Sequence, residues 1–320
     1  MRSEGFSRKP GTSDRRRLGI DMRFEDVRKM VGGTPCVRFV SEETGRAKIF
    51  VKLEGYNPTG SIKDRPCLSI IQDMLEVGKL KPGMTLLDSS SGNFAGSVAF
   101  LGRVLGYPTE VVANESKITP EKLAFMEYFG AKVTKMGQFT IEGTRYCRDL
   151  AAGEGGDKYC FLDQLHNWAN PRAHYKGTGE EIAADFEDLD LIAASMGSGG
   201  TMFGLGKYMR ENRPEVKLLA VQAASGTVIP GMGAFDDGDY VTPFMERGLE
   251  EKLYSVSRIY LESAVERTLE LRDQGIFCGI GTGGTLHAAL AKIKEDGIEG
   301  NVVVISGDSG WRNLDRLLTI

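Results

Sequence analysis

Asn57-Pro58-Thr59-Gly60-Ser61-Ile62-Lys63-Asp64-Arg65 stands where one periodicity gives way to another. Before it, Ile49, Val51 and Leu53 alternate with polar neighbours as a strand does. After it, Leu68, Ile71, Met74 and Leu75 recur at helical spacing, and Pro66 suits the first turn of a helix. The stretch is therefore a strand-to-helix junction of small and turn-forming residues that carries one lysine. Held under packed backbone near a helix N-terminus, an ammonium group is disfavoured, and a lysine of lowered pKa can form a Schiff base with an aldehyde. The plainer alternative is a surface Lys63 paired with Asp64, and for an isolated lysine that alternative would prevail. What the rest of the chain supplies decides between them.

Working outward, the same strand, loop and helix unit recurs. Thr85-Leu86-Leu87 leads into Asp88-Ser89-Ser90-Ser91-Gly92-Asn93 and a helical run bearing Phe94, Val98, Leu101 and Leu105. Glu110 to Ala113 reads as a strand. Thr119-Pro120-Glu121 then opens a helix with a capping hydroxyl, a first-turn proline and an acid near the positive end, and Gly130 closes it. In the second half Leu191 to Ala194 is a strand, Gly197-Ser198-Gly199-Gly200-Thr201 a loop, and Met202 to Arg210 a helix. Leu218 to Val221 follows as a strand, and Ser263-x-x-Glu266 reads as a capping box before Val265, Leu269 and Leu271. Val302-Val303-Val304-Ile305 is apolar on both faces, as a central parallel strand is, and runs into Ser306-Gly307-Asp308-Ser309-Gly310. Strands alternating with helices predict a parallel α/β sheet, and the glycine- and serine-rich loops fall at strand carboxyl ends, where such sheets bind ligands.

The bulk composition agrees with an ordinary soluble globular protein. At 320 residues, 41% hydrophobic and 26% charged, the chain predicts two domains or one large one. A net charge of -4 argues against nucleic acid as a partner, and no apolar run reaches the length of a membrane span. Cys36, Cys67, Cys147, Cys160 and Cys278 lack zinc or redox spacing and read as reduced and mostly buried, as in a cytoplasmic protein. Residues 1–21, with Arg2, Arg8, Lys9, Arg15, Arg16 and Arg17 among Ser, Gly and Pro, read as a disordered basic arm without a signal-peptide core.

Gly197 to Thr201 offers a run of backbone N–H groups at a helix start, which makes a phosphate cup. It lacks the lysine of a Walker loop and the spacing of a dinucleotide fingerprint. Gly279-Ile280-Gly281-Thr282-Gly283-Gly284-Thr285 is a second such string; the first is preferred because a clean apolar strand precedes it. Ser90-Ser91-Gly92-Asn93 suits a carboxylate or a phenolic oxygen, or else is an N-cap within a serine-rich turn. His166, His174 and His287 have neither a nucleophile elbow nor metal spacing and read as structural, and Trp168 and Trp311 as core or rim aromatics. A reactive lysine, a phosphate cup and an anion-binding serine loop together imply pyridoxal 5'-phosphate acting on an amino-acid substrate, with no metal.

These motifs, in this order, resemble the fold type II (β-family) pyridoxal-phosphate enzymes, and among them the cysteine synthases (O-acetylserine sulfhydrylases) with cystathionine β-synthase as a relative. The resemblance includes Val31-Gly32-Gly33-Thr34-Pro35 as the opening turn. It implies a tryptophan synthase β-subunit-like fold: two open, twisted, mostly parallel-sheet α/β domains with the cofactor in the cleft between them. The division expected is a smaller domain over residues 54–163 and a larger one over 22–53 and 164–320. By the same resemblance Lys63 is the Schiff-base residue and Asn93 meets the cofactor's phenolic oxygen. Gly197, Ser198, Gly199, Gly200 and Thr201 hold its phosphate, and Ser309 meets the pyridine nitrogen. Ser90, Ser91, Gly92, Asn93 and Gln164 take the substrate carboxylate. The implied reaction is β-replacement on an activated serine through an aminoacrylate, in a homodimer. A serine at the ring nitrogen leaves it unprotonated, a shallower electron sink that favours loss of a β-substituent.

The departures bear on substrate. Phe94 stands where these enzymes usually carry a threonine, so a substrate pocket of different shape is expected there, and Gly281-Thr282 replaces a serine pair. The lysine string and the Ser-Gly-Trp-Arg ending resemble the branch using O-phosphoserine with a sulfur-carrier protein. Yet Gln222-Ala223-Ala224-Ser225 follows Val221 with no arginine for a substrate phosphate. O-acetylserine is thus the first donor expected and O-phosphoserine the second. An amine or a specialised thiol as nucleophile, a threonine synthase or serine/threonine deaminase, and a non-catalytic binding module are the other readings. Lys63, Asn93 and Ser309 together speak against the last.

Overall fold

The computed structural model describes residues 23–137 and 139–318, so the basic arm expected over residues 1–21 lies outside the described residues. The first strands are β1 (Cys36–Phe39), β2 (Lys48–Leu53), β3 (Thr85–Ser89), β4 (Thr109–Ala113) and β5 (Lys132–Lys135). They are followed by β6 (Tyr159–Phe161), β7 (Leu189–Ser195), β8 (Lys217–Ala223), β9 (Ser255–Ile259) and β10 (Asn301–Ser306). They form two sheets, one ordered β1-β2-β10-β7-β8-β9 and the other β5-β4-β3-β6. The pairing of β1 with β2 is antiparallel and every other pairing is parallel. This is the doubly layered α/β architecture expected from alternating strands and helices.

Helices cover both sheets: α1 (Asp64–Glu76), α2 (Asn93–Leu105), α3 (Pro120–Tyr128), α4 (Thr140–Ala152) and the short α5 (Ala169–Ala173). A π-helix over His174–Gly179 joins α5 to α6 (Glu180–Asp185). Then come α7 (Gly200–Asn212), α8 (Pro243–Glu250), α9 (Leu261–Asp273), α10 (Ile280–Asp296) and the short α11 (Leu314–Leu317). As its composition predicts, β10 is central, lying between β2 and β7 with both pairings parallel. Val302 and Val304 enter one core with Ile49, Val51 and Ala193, while Val303 and Ile305 enter another with Ile192, Ala194 and Phe244. A strand that alternates its side chains between two buried faces must be apolar throughout.

Three local readings need revision. The second glycine string is not a loop: from Ile280 onward it is the first turns of α10. Its glycines serve helix packing, since a Cβ on Gly283 would sit 2.1 Å from the Ala264 carbonyl oxygen of α9. Ser263 does not cap α9, which begins at Leu261 with Tyr260 in the capping position, so the serine falls inside the first turn. The short strands β1, β5, β6 and β9 carry too few buried apolar residues to have announced themselves.

Beneath the lysine stretch lies a buried ion network. Arg65 donates to Glu54 (2.6 Å) and Glu181 (2.6 Å), and Lys52, fully buried, reaches Glu181 at 2.9 Å. Thr34 Oγ1 donates to Glu54 at 2.7 Å, and Asn57 Nδ2 donates to the same carboxylate at 2.8 Å. Burial alone would raise the Glu181 pKa, but Arg65 and Lys52 outweigh it and hold the carboxyl at about 2. The network ties the turn at Gly33, the end of β2, the start of α1 and α6 into one rigid frame. Four cysteines are buried, Cys36 is half-buried, and all five are free thiols, in agreement with the sequence.

Candidate active site

Three adjacent parallel strands, β2, β10 and β7, deliver their following loops to one edge of the larger sheet. The lysine loop leans on the loop after β10: Ile62 N donates to Gly307 O (2.8 Å), and Ser309 N donates to Gly60 O (3.0 Å). Lys63 occupies the capping position of α1 in a helical conformation. Its Nζ has no hydrogen bond or ion pair with any described residue, and desolvation lowers its pKa to about 8. Asp64 is turned away, buried, accepting from Thr59 N (2.8 Å), Thr59 Oγ1 (2.6 Å) and Ser97 Oγ (2.6 Å). The surface pair of Lys63 with Asp64 is thereby excluded, and what remains is a half-buried, desolvated amine without a partner among the described residues.

Gly197 to Thr201 lies at the carboxyl end of β7 and turns directly into α7 at Gly200. A Cβ on Gly200 would stand 2.1 Å from Asn170 Oδ1, so only glycine lets α7 begin this close to α5. The Ser198 hydroxyl accepts from Asn170 Nδ2 (3.3 Å) and Gly200 N (3.5 Å), and Thr201 Oγ1 lies 3.3 Å from His174 Nε2. The unsatisfied N–H groups of the first turn and the helix dipole make this an anion cup.

The serine loop belongs to the smaller sheet, between β3 and α2. Ser90 Oγ accepts from Gly92 N (3.2 Å), which tightens the turn. Ser91 Oγ is held by the backbone of Asn114, accepting from its N (2.5 Å) and donating to its O (3.3 Å). Asn93 Nδ2 crosses from one sheet's loops to the other's and donates to Asp308 Oδ2 at 2.8 Å. Burial raises the Asp308 pKa, and the hydrogen bonds from Asn93 and Asn313 oppose that rise. Gln164 is buried and donates through Nε2 to Ser89 O (3.1 Å), while its own N donates to Asp88 Oδ2 (3.2 Å). Asp88 is itself raised well above the usual carboxylate range by burial.

Phe94 and Ser309 each have a distinct setting. Phe94 is 2% exposed and packs with Cys67, Ile70, Val98 and Leu162 in the core between α1 and α2. Ser309 uses its hydroxyl to accept from Trp311 N (3.4 Å). It lines a cavity of about 370 Å³ with Gly60, Phe125 and Arg312, and it is the neighbouring Asp308 that faces Asn93. The sequence reading did not single out Asp308, Asp88, Asn170 or His174 as site residues. The last two stand four apart, and that spacing is the one signal that could have paired them.

The fold and these loops define a class: a two-sheet α/β enzyme whose strand ends present a desolvated lysine beside a helix-borne anion cup. A phosphorylated aldehyde fits that donor set, with hydroxyls and free N–H groups for its phosphate and an unpartnered amine for its carbonyl carbon. The model of the family described as pyridoxal-phosphate dependent enzyme matches residues 27–308. The chain belongs to this family, in the fold type II group that includes the cysteine synthases, and its cofactor is pyridoxal phosphate. It is 33% identical over 300 residues to cysteine synthase B of Pseudomonas aeruginosa, covering 92% of this chain and 97% of that one. To cysteine synthase B of Escherichia coli it is 32% identical over 296 residues, 90% of this chain and 94% of that one. Among solved structures, an O-ureido-L-serine synthase superposes with a TM-score of 0.82 at 28% identity, over 92% of this chain and 95% of that one. O-acetylserine sulfhydrylase isoform 3 of Entamoeba histolytica gives a TM-score of 0.84 at 25% identity, over 98% and 95%. Among the described residues no helix is long and apolar enough to cross a membrane, and no cluster of side chains is suited to a metal ion.

Proposed function

We propose that this protein catalyses β-replacement on an activated L-serine, with O-acetylserine as first donor and O-phosphoserine as second, giving cysteine or a related β-substituted alanine. One observation carries the reading: the unpartnered, desolvated Lys63 amine shares a strand-end edge with a helix-borne anion cup. Kinship with cysteine synthase B over nearly the whole chain supports it.

Bound pyridoxal phosphate supplies the electron sink for charge left at the substrate α-carbon. Lys63 holds the cofactor and serves as general base, its pKa near 8 giving a neutral fraction of Nζ near neutral pH. Gly197, Ser198, Gly199, Gly200 and Thr201 hold the phosphate at the positive end of α7. Ser90, Ser91, Gly92, Asn93 and Gln164 receive the substrate carboxylate at the N-terminus of α2. Asn93 would also hold the cofactor's phenolic oxygen, and Ser309 would meet its pyridine nitrogen. Phe94 acts on the pocket through the seating of α2 on α1.

The preference for O-acetylserine rests on charge. Gln222 donates to Asp236 (3.4 Å) and Arg258 is paired with the same carboxylate, so the loop after β8 offers a substrate phosphate no free guanidinium. Residues 54–163 are proposed as the smaller domain and 22–53 with 164–320 as the larger, in a cytoplasmic homodimer. Free sulfide is the nucleophile preferred; a sulfur-carrier protein belongs with the O-phosphoserine reading.

The test is to offer the holoprotein O-acetylserine, O-phosphoserine or threonine and follow the cofactor absorption, then add sulfide and assay cysteine. O-acetylserine should perturb the spectrum and yield cysteine, and Lys63→Ala should lower turnover by about 10²–10⁴-fold. A response to threonine alone would transfer the protein to the threonine synthase or deaminase reading.

A further inference from the structure

One segment of fifteen residues, from Gln164 to Thr178, reaches both the end of β3, which carries the serine loop, and the phosphate cup. Asn170 and His174 lie four residues apart on it, where α5 passes into the π-helix, and so project from the same side. Asn170 is 1% exposed, and its Nδ2 donates both to Gln164 O (2.7 Å) and to Ser198 Oγ (3.3 Å). A carbonyl oxygen only accepts, so the bond to Gln164 fixes which end of the amide is nitrogen. Asn170 Oδ1 is left buried without a partner, against Gly200. His174, also 1% exposed, has Nδ1 at 3.0 Å from Thr178 Oγ1 and Nε2 at 3.3 Å from Thr201 Oγ1. Burial lowers its pKa well below that of a free imidazole, with the charges of Arg65 and Lys63 adding to the effect, so the ring is neutral and has one N–H to give.

A phosphate dianion accepts hydrogen bonds and donates none. Each hydroxyl in a cup that binds one must therefore point its proton at the phosphate and have its own lone pairs fed from behind. Asn170 Nδ2 feeds Ser198 in this way. We infer that Asn170 and His174 are positioning residues for the cofactor phosphate: they donate to the Ser198 and Thr201 hydroxyls from behind and so turn both into outward donors. For His174 this specifies the tautomer with its proton on Nε2 and Thr178 donating to Nδ1. The Asn170 bond to Gln164 also ties the phosphate cup to the strand end that carries the serine loop. The inference rests on the assignment of Gly197 to Thr201 as the phosphate loop.

The experiment compares apoprotein affinities for pyridoxal phosphate and for pyridoxal, which lacks the phosphate, by fluorescence titration. Wild type should prefer pyridoxal phosphate. His174→Phe and Asn170→Asp should each weaken pyridoxal phosphate by about tenfold or more while leaving pyridoxal unchanged. In a Thr201→Val background, His174→Phe should cost little further, because the hydroxyl it orients is gone. Asn170→Asp preserves shape, so it tests the inference even if His174→Phe fails to fold. Parallel losses for both ligands, no loss for either, or additive effects of His174→Phe and Thr201→Val would overturn it. A wild type without preference for pyridoxal phosphate would overturn the phosphate-loop assignment itself.

Discussion

At the scale of single residues, Lys63 is distinguished by what it does not touch. Asp64 next to it is consumed by Thr59 and Ser97, so the half-buried amine is desolvated without a counter-charge. That isolation has a measurable sign. The pKa near 8 in the folded chain lies below the ordinary 10.5, so between these values the unfolded chain holds a proton that the folded chain does not. The stability of the apoprotein should therefore rise as pH increases from about 8 to 10.5. Urea midpoints across that window for wild type and Lys63→Met should diverge, the variant lacking this part of the slope; parallel curves would mean that Lys63 is solvated. The lysine motif was legible in the sequence because Pro, Gly and Ser at a change of periodicity mark a junction. Its lack of a partner was not, since Asp64 is adjacent in sequence whichever way its side chain turns.

At the scale of elements, glycine strings with the same look do different things. Gly197 to Thr201 opens a helix toward the strand-end edge, whereas Gly283 and Gly284 let α10 cross α9 at close range. Gly283→Ala should cost about 1–3 kcal/mol, read as a lower denaturant midpoint with cofactor affinity unchanged, because its Cβ would meet the Ala264 carbonyl and the Thr268 hydroxyl. An unchanged midpoint would mean that the two helices can part without loss. The frame under the lysine loop makes a stronger claim. Arg65→Met leaves Glu54 buried with its principal counter-charge gone and should destabilise by about 3–5 kcal/mol in thermal or denaturant unfolding. Glu181, held at about 2 by Arg65 and Lys52, adds stability that is complete above its ordinary 4.5 and lost as pH falls toward 2. Acid titration of wild type against Glu181→Gln should show that component in wild type only.

At the scale of the whole molecule, the site is assembled from both sheets, and the hydrogen bond from Asn93 to Asp308 joins them across 215 residues of sequence. Asp308→Ala should speed amide exchange at the start of α2, over residues 93–97, while β10 stays protected; unchanged exchange there would show that the contact carries no restraint. The sequence by itself determined the α/β class, the central place of β10, the lysine junction, the serine loop and the glycine loop that opens α7. Each is written locally, in the period of apolar residues or in turn chemistry at a strand end. Only the tertiary structure decided where side chains point once those loops meet. It put Phe94 in the core beneath α2, turned Asp308 toward Asn93 beside Ser309, and brought Asn170 and His174 behind the cup's hydroxyls. These outcomes depend on which helix packs over which strand end and how closely, and no single stretch of sequence contains that distance.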